Sequence, residues 1–229
     1  MKTKQLFLLL FMSIMSVSAL ADEAIIDGIR YDLDNETLQA EVIQNSDNQY
    51  SGNITIPETV DYEEKTYRVT AIRDYAFVGC TGLTSIDIPN SVTTVGNYAF
   101  YGCKSLTSID IPNSVTTIGI RAFYECSALT SISIPNGVTS IEAQAFFGCS
   151  GLESITVGNG NANYDSRENC NAVIETETNT LIAGCKNTVI PNSVTMIGYG
   201  AFFGCSGLTS IDIPNSVTTI GIHAFYKCI

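Results

Sequence analysis

The chain has 229 residues, of which 45% are hydrophobic and 15% charged, so it is long and apolar enough to fold around a sizeable core. Acidic residues outnumber basic ones by 23 to 11, and the resulting net charge of −12 disfavours nucleic acid and anionic lipid as partners. A single histidine and the absence of tryptophan remove most histidine-based catalysis and metal binding from consideration.

Residues 1–21 have the pattern of a secretory signal peptide. Positive Lys2 and Lys4 precede an apolar stretch of twelve residues (6–17), and Ala19 and Ala21 place small residues at the −3 and −1 positions. We predict cleavage after Ala21 and a protein that is secreted or held at the cell surface. Both lysines leave with the leader, so the net charge falls from −12 to −14. A stretch of twelve residues is too short to cross a bilayer and no longer apolar run follows, so no membrane span is expected.

Residues 22–70 are predicted to form an N-terminal β cap and a divergent first coil. Ile29–Leu33, a turn at Asp34-Asn35 and Leu38–Ile43 have the pattern of a β-hairpin. Ile54–Val60 then reads as a divergent Ile-x-Ile-Pro strand. Repeat stacks need such a cap, because their first coil would otherwise expose an apolar face.

Residues 71–229 are organised by a repeat of 23 residues. The block AFVGCTGLTSIDIPNSVTTVGNY begins at Ala76. Related blocks begin at Ala99, Ala122, Ala145 and Ala201. The block at Ala145 runs for 56 residues before the next begins, so it carries an insertion of 33 residues. A fixed period of this length predicts a solenoid, in which single coils become stable only by stacking on their neighbours.

Each coil is predicted to contain two short strands. In Leu83–Ile88 the apolar residues alternate with Ser85 and Asp87, which places the apolar side chains inward and the polar ones outward. A Pro-Asn turn follows, and Val92–Gly96 returns as a second extended piece. Ala99-Phe100 fills the remaining corner. The fold class is therefore a β-rich solenoid with a parallel sheet, in which about seven coils at ~4.8 Å spacing make a stack roughly 30–35 Å long.

The repeat string GCxxLTSIxIPNSVTxIGxxAF closely resembles the BspA-like leucine-rich repeats, which are common in secreted and surface proteins of Bacteroidetes, treponemes and some mucosal protists. The resemblance extends from Ile54 to the end of the chain. It rests on the joint occurrence of the 23-residue period, the Ile-Pro-Asn-Ser-Val core and the Ala-Phe-x-x-Cys corner. Family members look like adhesins, so the resemblance implies a surface or secreted protein that contacts host or neighbouring-cell proteins.

The insertion, at about 158–187, contains a second predicted hairpin formed by Asn171–Glu175 and Thr180–Ala183. Long insertions in solenoids usually project from one face and often bind a partner. A neutral elaboration is the alternative, and the sequence leaves both open. The candidate binding residues of the insertion are Tyr164, Asp165 and Arg167.

The last block begins at Ala224-Phe225, and no capping segment follows it. The predicted strand Leu208–Ile213 would then lack a partner on one side. An open sheet end of this kind predicts self-association through the C-terminal end, or else a truncated gene.

Six of the eight cysteines occupy a single repeat position: Cys80, Cys103, Cys126, Cys149, Cys205 and Cys228. Their Cβ atoms would stack ~4.8 Å apart, farther than the ~3.8 Å that a disulfide prefers, so we interpret them as buried free thiols. Cys170 and Cys185 lie outside this series. They either pair in a disulfide or occupy two coil corners.

No catalytic or metal-binding pattern stands out. His223 occupies a position that holds Tyr, Arg, Gln and Gly in other coils, which is typical of a solvent-facing site. The recurring aspartates Asp87, Asp110 and Asp212 form a solvated stripe rather than an acid–base pair. Phosphate loops and zinc-ligand spacings are also absent. We therefore predict a non-catalytic protein without cofactor or metal.

Two surfaces remain as binding candidates. The first is a polar strand face, suited to an extended protein or a glycan. Its residues are Ser85, Asp87, Ser108, Asp110, Ser131, Ser133, Ser154, Thr156, Ser210 and Asp212. The second is a row of aromatic side chains that more often covers a core: Tyr101, Tyr124, Phe147, Phe203 and Tyr226. The leading prediction is a protein-binding adhesin; the alternatives are a glycan-binding accessory protein and a self-assembling structural or spacer element.

Overall fold

The computed structural model describes residues 22–46 and 49–228, so the predicted signal peptide lies outside the described residues. Within those ranges the regular structure consists of short strands and one 3₁₀ turn at Arg167–Asn169. None of the elements described there is a helix of the length and apolar character that a membrane span requires.

In chain order the strands are β1 (Asp22–Ile26), β2 (Ile29–Asp34), β3 (Gln39–Val42), β4 (Gly52–Thr55), β5 (Thr59–Tyr62), β6 (Lys65–Ile72), β7 (Leu83–Asp87), β8 (Thr94–Val95), β9 (Ser108–Asp110), β10 (Thr117–Ile118), β11 (Ser131–Ile134), β12 (Ser140–Ile141), β13 (Ser154–Val157), β14 (Tyr164–Asp165), β15 (Ala172–Glu175), β16 (Thr180–Gly184), β17 (Met196–Ile197) and β18 (Thr219–Ile220).

Successive coils stack through parallel strands on two sides of the molecule. On the strand face, β4, β7 and β9 pair in that order, and β11 pairs with β13. On the opposite side, β6, β8, β10 and β12 form a second parallel set, which we call the return ladder. Each regular coil before the insertion therefore contributes two short strands, as the sequence predicts. The stack is the β-rich solenoid expected from the repeat.

The core of the stack is a column of phenylalanine rings. Phe77, Phe100, Phe123 and Phe146 are buried and lie nearly parallel, with centroids 5.1, 5.3 and 5.7 Å apart. Beside this column, buried thiols donate to the Phe carbonyls of the preceding coil, and Cys103 Sγ lies 3.1 Å from Phe77 O. Stacking of identical side chains thus converts a sequence repeat into a continuous core.

The N-terminal cap extends the return ladder. The β2–β3 hairpin is confirmed, and its turn is closed by Asp34 Oδ1, which accepts hydrogen bonds from two backbone amides. An additional strand, β1, pairs antiparallel with β2, so the cap is a three-stranded meander rather than a lone hairpin. β3 then pairs in parallel with β6, which joins the cap to the coils.

The insertion contains the predicted hairpin, with Ile174 of β15 opposite Leu181 of β16. Of the two interpretations that the sequence leaves open, the one in which the insertion projects from one face does not hold. Val173, Ile174 and Leu181 are fully buried, and β16 pairs in parallel with β17, which pairs with β18. The insertion is integrated into the stack because its apolar residues replace part of the core of a regular coil.

The prediction of a strand at Leu208–Ile213 is wrong. This segment is irregular, and the side chain of Ile213 is 43% exposed. The matching segment of the preceding coil (188–190) is irregular too. It therefore offers no strand on which residues 208–213 could pair.

Candidate interaction surface

The strand face presents an ordered row of polar side chains above a buried aliphatic layer. Ile86 and Ile109 point inward and are buried, whereas Asp87 and Asp110 point outward and are exposed. The two aspartates lie opposite each other in the β7–β9 register. Alternation along short strands therefore places two carboxylates side by side in solvent.

The same alternation continues on the next pair of strands. Ser131 lies opposite Ser154, and Ser133 lies opposite Thr156. A backbone hydrogen bond of 3.3 Å from Thr130 N to Thr107 O connects the two halves of the strand face. Eight of the ten predicted strand-face residues are thus brought together by the stack.

A shallow groove of about 480 Å³ runs along one edge of the strand face. Asp87, Asp110 and Ser133 line it, as the polar alternation predicts. It is also lined by three residues that sequence reasoning missed, Asn90, Asn113 and Asn136. Each follows the repeat proline, and their recurrence every 23 residues was the available signal. Amide groups that donate and accept hydrogen bonds therefore stand beside the carboxylates.

Two predicted strand-face residues are separate from this surface. Ser210 and Asp212 are exposed, but they lie in the irregular segment that follows the insertion. Neither takes part in a parallel ladder, in contrast to Asp87 and Asp110. The continuous polar surface ends at β13.

The three candidate residues of the insertion are engaged within the protein. The hydroxyl of Tyr164 accepts a hydrogen bond of 2.9 Å from the backbone N of Ile141. Arg167 pairs with Asp165 at 2.6 Å and donates a hydrogen bond of 2.9 Å to Asn179. Its hydrogen bond with Asp165 raises the pKa of the Arg167 guanidinium. The contact of Tyr164 fastens the insertion to the preceding coil, and the contacts of Arg167 hold the insertion together internally.

The aromatic row is stacked on itself. The rings of Tyr101 and Tyr124 lie 5.0 Å apart, and those of Phe147 and Phe203 lie 4.8 Å apart, with interplanar angles of 6° and 11°. Stacked rings cover one another's faces, so the row presents edges outward. Flat stacking of a sugar ring needs an exposed face, and this arrangement does not favour it.

The cysteine thiols of the repeat are protonated at neutral pH. Burial raises the pKa of Cys149 and of Cys205 to about 12. A nucleophilic cysteine needs a thiolate, so these environments disfavour nucleophilic chemistry. All eight cysteines are free. Cys170 and Cys185, for which the sequence leaves open a disulfide or two separate corners, are free in the structure and belong to different core clusters.

Metal coordination has no evident site in residues 22–46 and 49–228. Groups of three or more His, Cys, Asp or Glu side chains that could hold an ion do not occur there. Asp87 and Asp110 supply only carboxylate oxygens from two adjacent strands. The arrangement is suited to hydrogen bonding and to attraction of positive charge.

The repeat region identifies the family to which the chain belongs. A model of the BspA type leucine-rich repeat region matches residues 53–173 and 179–229, with six copies. The chain belongs to this family. Membership explains the stacked 23-residue coils. It also makes this leucine-rich repeat protein an interaction module, because such repeat stacks provide extended binding surfaces.

Similar solved structures are bacterial leucine-rich repeat proteins. One from Bacteroides ovatus is 27% identical with a TM-score of 0.58, and the match covers 90% of this chain and 51% of the other. The pneumococcal vaccine antigen PcpA is 17% identical with a TM-score of 0.60, covering 92% and 69%. A leucine-rich repeat protein of T. pallidum is 20% identical with a TM-score of 0.53, covering 90% and 89%.

The last two likenesses concern the fold alone. This leucine-rich repeat protein spans about half the length of the Bacteroides ovatus protein. No curated protein matches the chain.

Proposed function

We propose that this protein is exported and binds an extracellular protein through its strand face, without catalysing a reaction. The observation that carries the proposal is the groove in which Asp87 and Asp110 stand in register beside Asn90 and Asn113. The partner is a protein of the host or of a neighbouring cell, so the protein acts as an adhesin. The pattern of residues 1–21 supports export.

Charge and geometry favour an extended, basic segment as the bound part of the partner. Two carboxylates on adjacent strands lie ~4.8 Å apart along the stack, close enough to act on one lysine or arginine side chain. The asparagine amides can hydrogen-bond a partner backbone. The chain's net charge of −12 adds long-range attraction for a basic partner.

The test is capture of candidate partners by the mature protein, residues 22–229, measured by biolayer interferometry at physiological salt. The panel contains matrix proteins, plasma proteins and polysaccharides. The double substitution Asp87→Asn with Asp110→Asn is expected to weaken capture of a protein partner about tenfold, because two charge-assisted contacts are lost.

The matched control is Glu63→Gln with Glu64→Gln. It changes the net charge equally, at the exposed turn between β5 and β6. Equal loss of capture in both double variants would reduce the effect to general electrostatics and reject the strand face as the site. Unchanged capture in the aspartate variant would do the same.

A glycan ligand is the alternative occupant of the strand face. Polar hydroxyls and amides suit it, whereas stacking covers ring faces of Tyr101, Tyr124, Phe147 and Phe203 in the aromatic row. Capture of polysaccharides alone would replace the protein partner with a glycan. Export is tested separately by sequencing the N-terminus of the protein recovered outside the cell, which is expected to begin at Asp22.

Self-association is a second candidate function, favoured by exposed apolar side chains on the last coil. Ile213, Ile220 and Ile222 are 43%, 51% and 72% exposed. A second copy that covers them would give assembly of a structural or spacer type. Sedimentation over a wide concentration range is expected to reveal association that Ile220→Ser with Ile222→Ser abolishes; a strict monomer contradicts it.

A further inference from the structure

The phenylalanine column is interrupted once, where the insertion replaces a regular corner. In regular corners the amide of Phe100 donates to Ala122 O; at the insertion, the amide of Gly184 donates to Ala201 O instead. Likewise Cys205 Sγ contacts Gly184 O, as Cys103 Sγ contacts Phe77 O. Gly184 therefore occupies the position of a core phenylalanine and brings no ring.

A cavity of about 290 Å³ lies at this interruption. The hydrophobic core divides into two clusters at the same place. The cavity wall is largely apolar and includes the rings of Phe146, Phe147, Phe203 and Tyr199. Its volume accommodates roughly ten non-hydrogen atoms, since a water molecule takes about 30 Å³ in the liquid.

Two wall residues depart from the repeat at this point. Four coils have glycine after the return-ladder isoleucine or valine, as in Gly119 and Gly198, whereas the coil beside the cavity has Glu142. The usual Thr or Ser of β8, β10, β12 and β18 is Met196 in β17. The coils that border the cavity thus differ from the other coils in residues that line it.

The charged part of the wall is entirely acidic. Glu142 and Glu175 line the cavity, and no lysine, arginine or histidine does. Each carboxylate accepts one hydroxyl hydrogen bond, Glu142 from Ser140 at 2.7 Å and Glu175 from Thr178 at 2.5 Å. None of the ion pairs in the described part of the chain involves either of them.

Both carboxylates act on one point of the wall, the hydroxyl of Tyr164. Burial raises the pKa of Tyr164, and the charges of Glu175 and Glu142 raise it further, although the hydrogen bond from Ile141 lowers it. The guanidinium of Arg121 lies outside the wall and is hydrogen-bonded to Gln144, which lines it. The wall therefore combines aromatic rings with two carboxylates that lack a cationic partner.

We propose that this cavity binds a small organic ammonium ion. Its apolar body lies among the aromatic rings, and its charged nitrogen is held by Glu142 and Glu175. The carboxylates supply the charge opposite to that of the ammonium group, and the apolar wall removes the body of the ligand from water. The site is independent of the strand face, so its occupancy and capture of a protein partner can be measured separately.

The probe is 2-phenylethylamine, tested by isothermal titration calorimetry on the mature protein at pH 7 and low salt. Saturable binding of one equivalent is expected. The neutral isostere 2-phenylethanol is expected to bind at least about tenfold more weakly, because it lacks the charge. Equal affinity for amine and alcohol would overturn the proposal, and so would the absence of amine binding.

Two variants locate the site. Glu142→Gln and Glu175→Gln are each expected to weaken amine binding about fivefold, because each removes one charge at a partly solvated position. Glu177→Gln is the matched control: it makes the same change two residues from Glu175, at an exposed side chain outside the wall. Equal effects of all three substitutions would place the amine elsewhere and contradict the assignment.

A cavity-filling substitution adds a steric criterion. Ala183 lines the cavity and is 7% exposed, so Ala183→Leu would occupy part of the space. Amine binding is expected to be lost while the circular dichroism spectrum is retained. If Ala183→Leu does not fold, the two glutamate variants and their control still decide the outcome, because they alter surface carboxylates only.

Discussion

At the scale of single residues, the tight corners depend on backbone conformations that most side chains avoid. The residue before each Ala-Phe has positive φ, as in Tyr98 at 55° and Gln144 at 63°. Four residues later the chain again has positive φ, and glycine fills that position in Gly79, Gly102 and Gly148. The corner of the coil at Ala122 has Glu125 there instead, at φ 58°.

Glu125→Gly is expected to stabilise the protein by about 0.5–1 kcal/mol, because glycine adopts the left-handed conformation without the steric cost of a Cβ. The measurement is the urea midpoint of unfolding. Glu125→Ala is the control, since it removes the same charge but keeps the Cβ, and it should give no gain. An equal increase of the urea midpoint in both variants would show that removal of the charge, and not backbone conformation, causes the gain in stability.

The buried thiols make stability dependent on alkaline pH. Burial raises the pKa of Cys149 from its ordinary value of 9.0 to about 12. The folded state thus holds this proton more tightly than the unfolded chain, so the stabilisation is complete below pH 9 and is lost as the pH rises towards 12. Urea midpoints are expected to be level from pH 7 to 8.5 and to fall above about pH 9.

Cys149→Ala should make that fall less steep, by about one proton where the thiol titrates. An unchanged slope would mean that Cys149 does not contribute to the alkaline loss of stability. The other buried thiols also have raised pKa values, so the urea midpoint of Cys149→Ala should still fall with rising pH, but less steeply.

At the scale of elements, the phenylalanine column explains why a coil of two very short strands is stable. Phe123 is fully buried between Phe100 and Phe146, whereas Phe225 is partly exposed and stacks on Phe202 at 5.0 Å. A ring inside the column therefore stacks on two neighbouring rings and is fully buried. The ring on the last coil stacks on one neighbour and is only partly buried.

Phe123→Ala is expected to lower the free energy of unfolding by about 3–5 kcal/mol, because it leaves a ring-sized cavity in a closed column. Phe225→Ala should cost only about 1–2 kcal/mol, since its ring is already partly in contact with water. Chemical denaturation of both variants measures the difference. Similar losses would contradict a column that is most tightly packed at its centre.

The repeat made most elements predictable, because inward positions recur every 23 residues and two short strands follow from their alternation. β1 was missed although Asp27-Gly28, with φ of 49° and 83°, is a hairpin turn signal. The groove asparagines were read as turn residues only. The cavity could not be predicted, because sequence alone does not say that Gly184 aligns in space with a phenylalanine.

At the scale of the whole molecule, the insertion divides one continuous stack into two packing units. The first core cluster extends from Ala24 to Cys185, and the second from Cys170 to Ala224. Arg167 connects the segments around the boundary, with contacts to Asp165, Asn179 and Ser193. Local openings of the two units should therefore be separable.

Arg167→Ala is expected to destabilise the second unit by about 1–2 kcal/mol, because it removes charge-assisted hydrogen bonds at a partly exposed site. Hydrogen exchange should become faster in β15, β16 and β17 and stay unchanged in β7 to β10. Arg68→Ala, at an exposed side chain of the cap, is the control. Uniform acceleration along the chain would contradict two units.

Because neighbouring coils have matching faces, the gene can gain or lose repeats by recombination. The coils starting at Ala76, Ala99 and Ala201 are nearly identical in sequence. The face by which each coil packs on the preceding coil therefore matches the corresponding face of the others. Unequal recombination between them therefore adds or removes whole coils without creating a new interface. The interruption at Gly184 lies between the coils that start at Ala99 and Ala201, so exchange between those two coils would delete or duplicate it, whereas exchange between the adjacent coils at Ala76 and Ala99 leaves it in place.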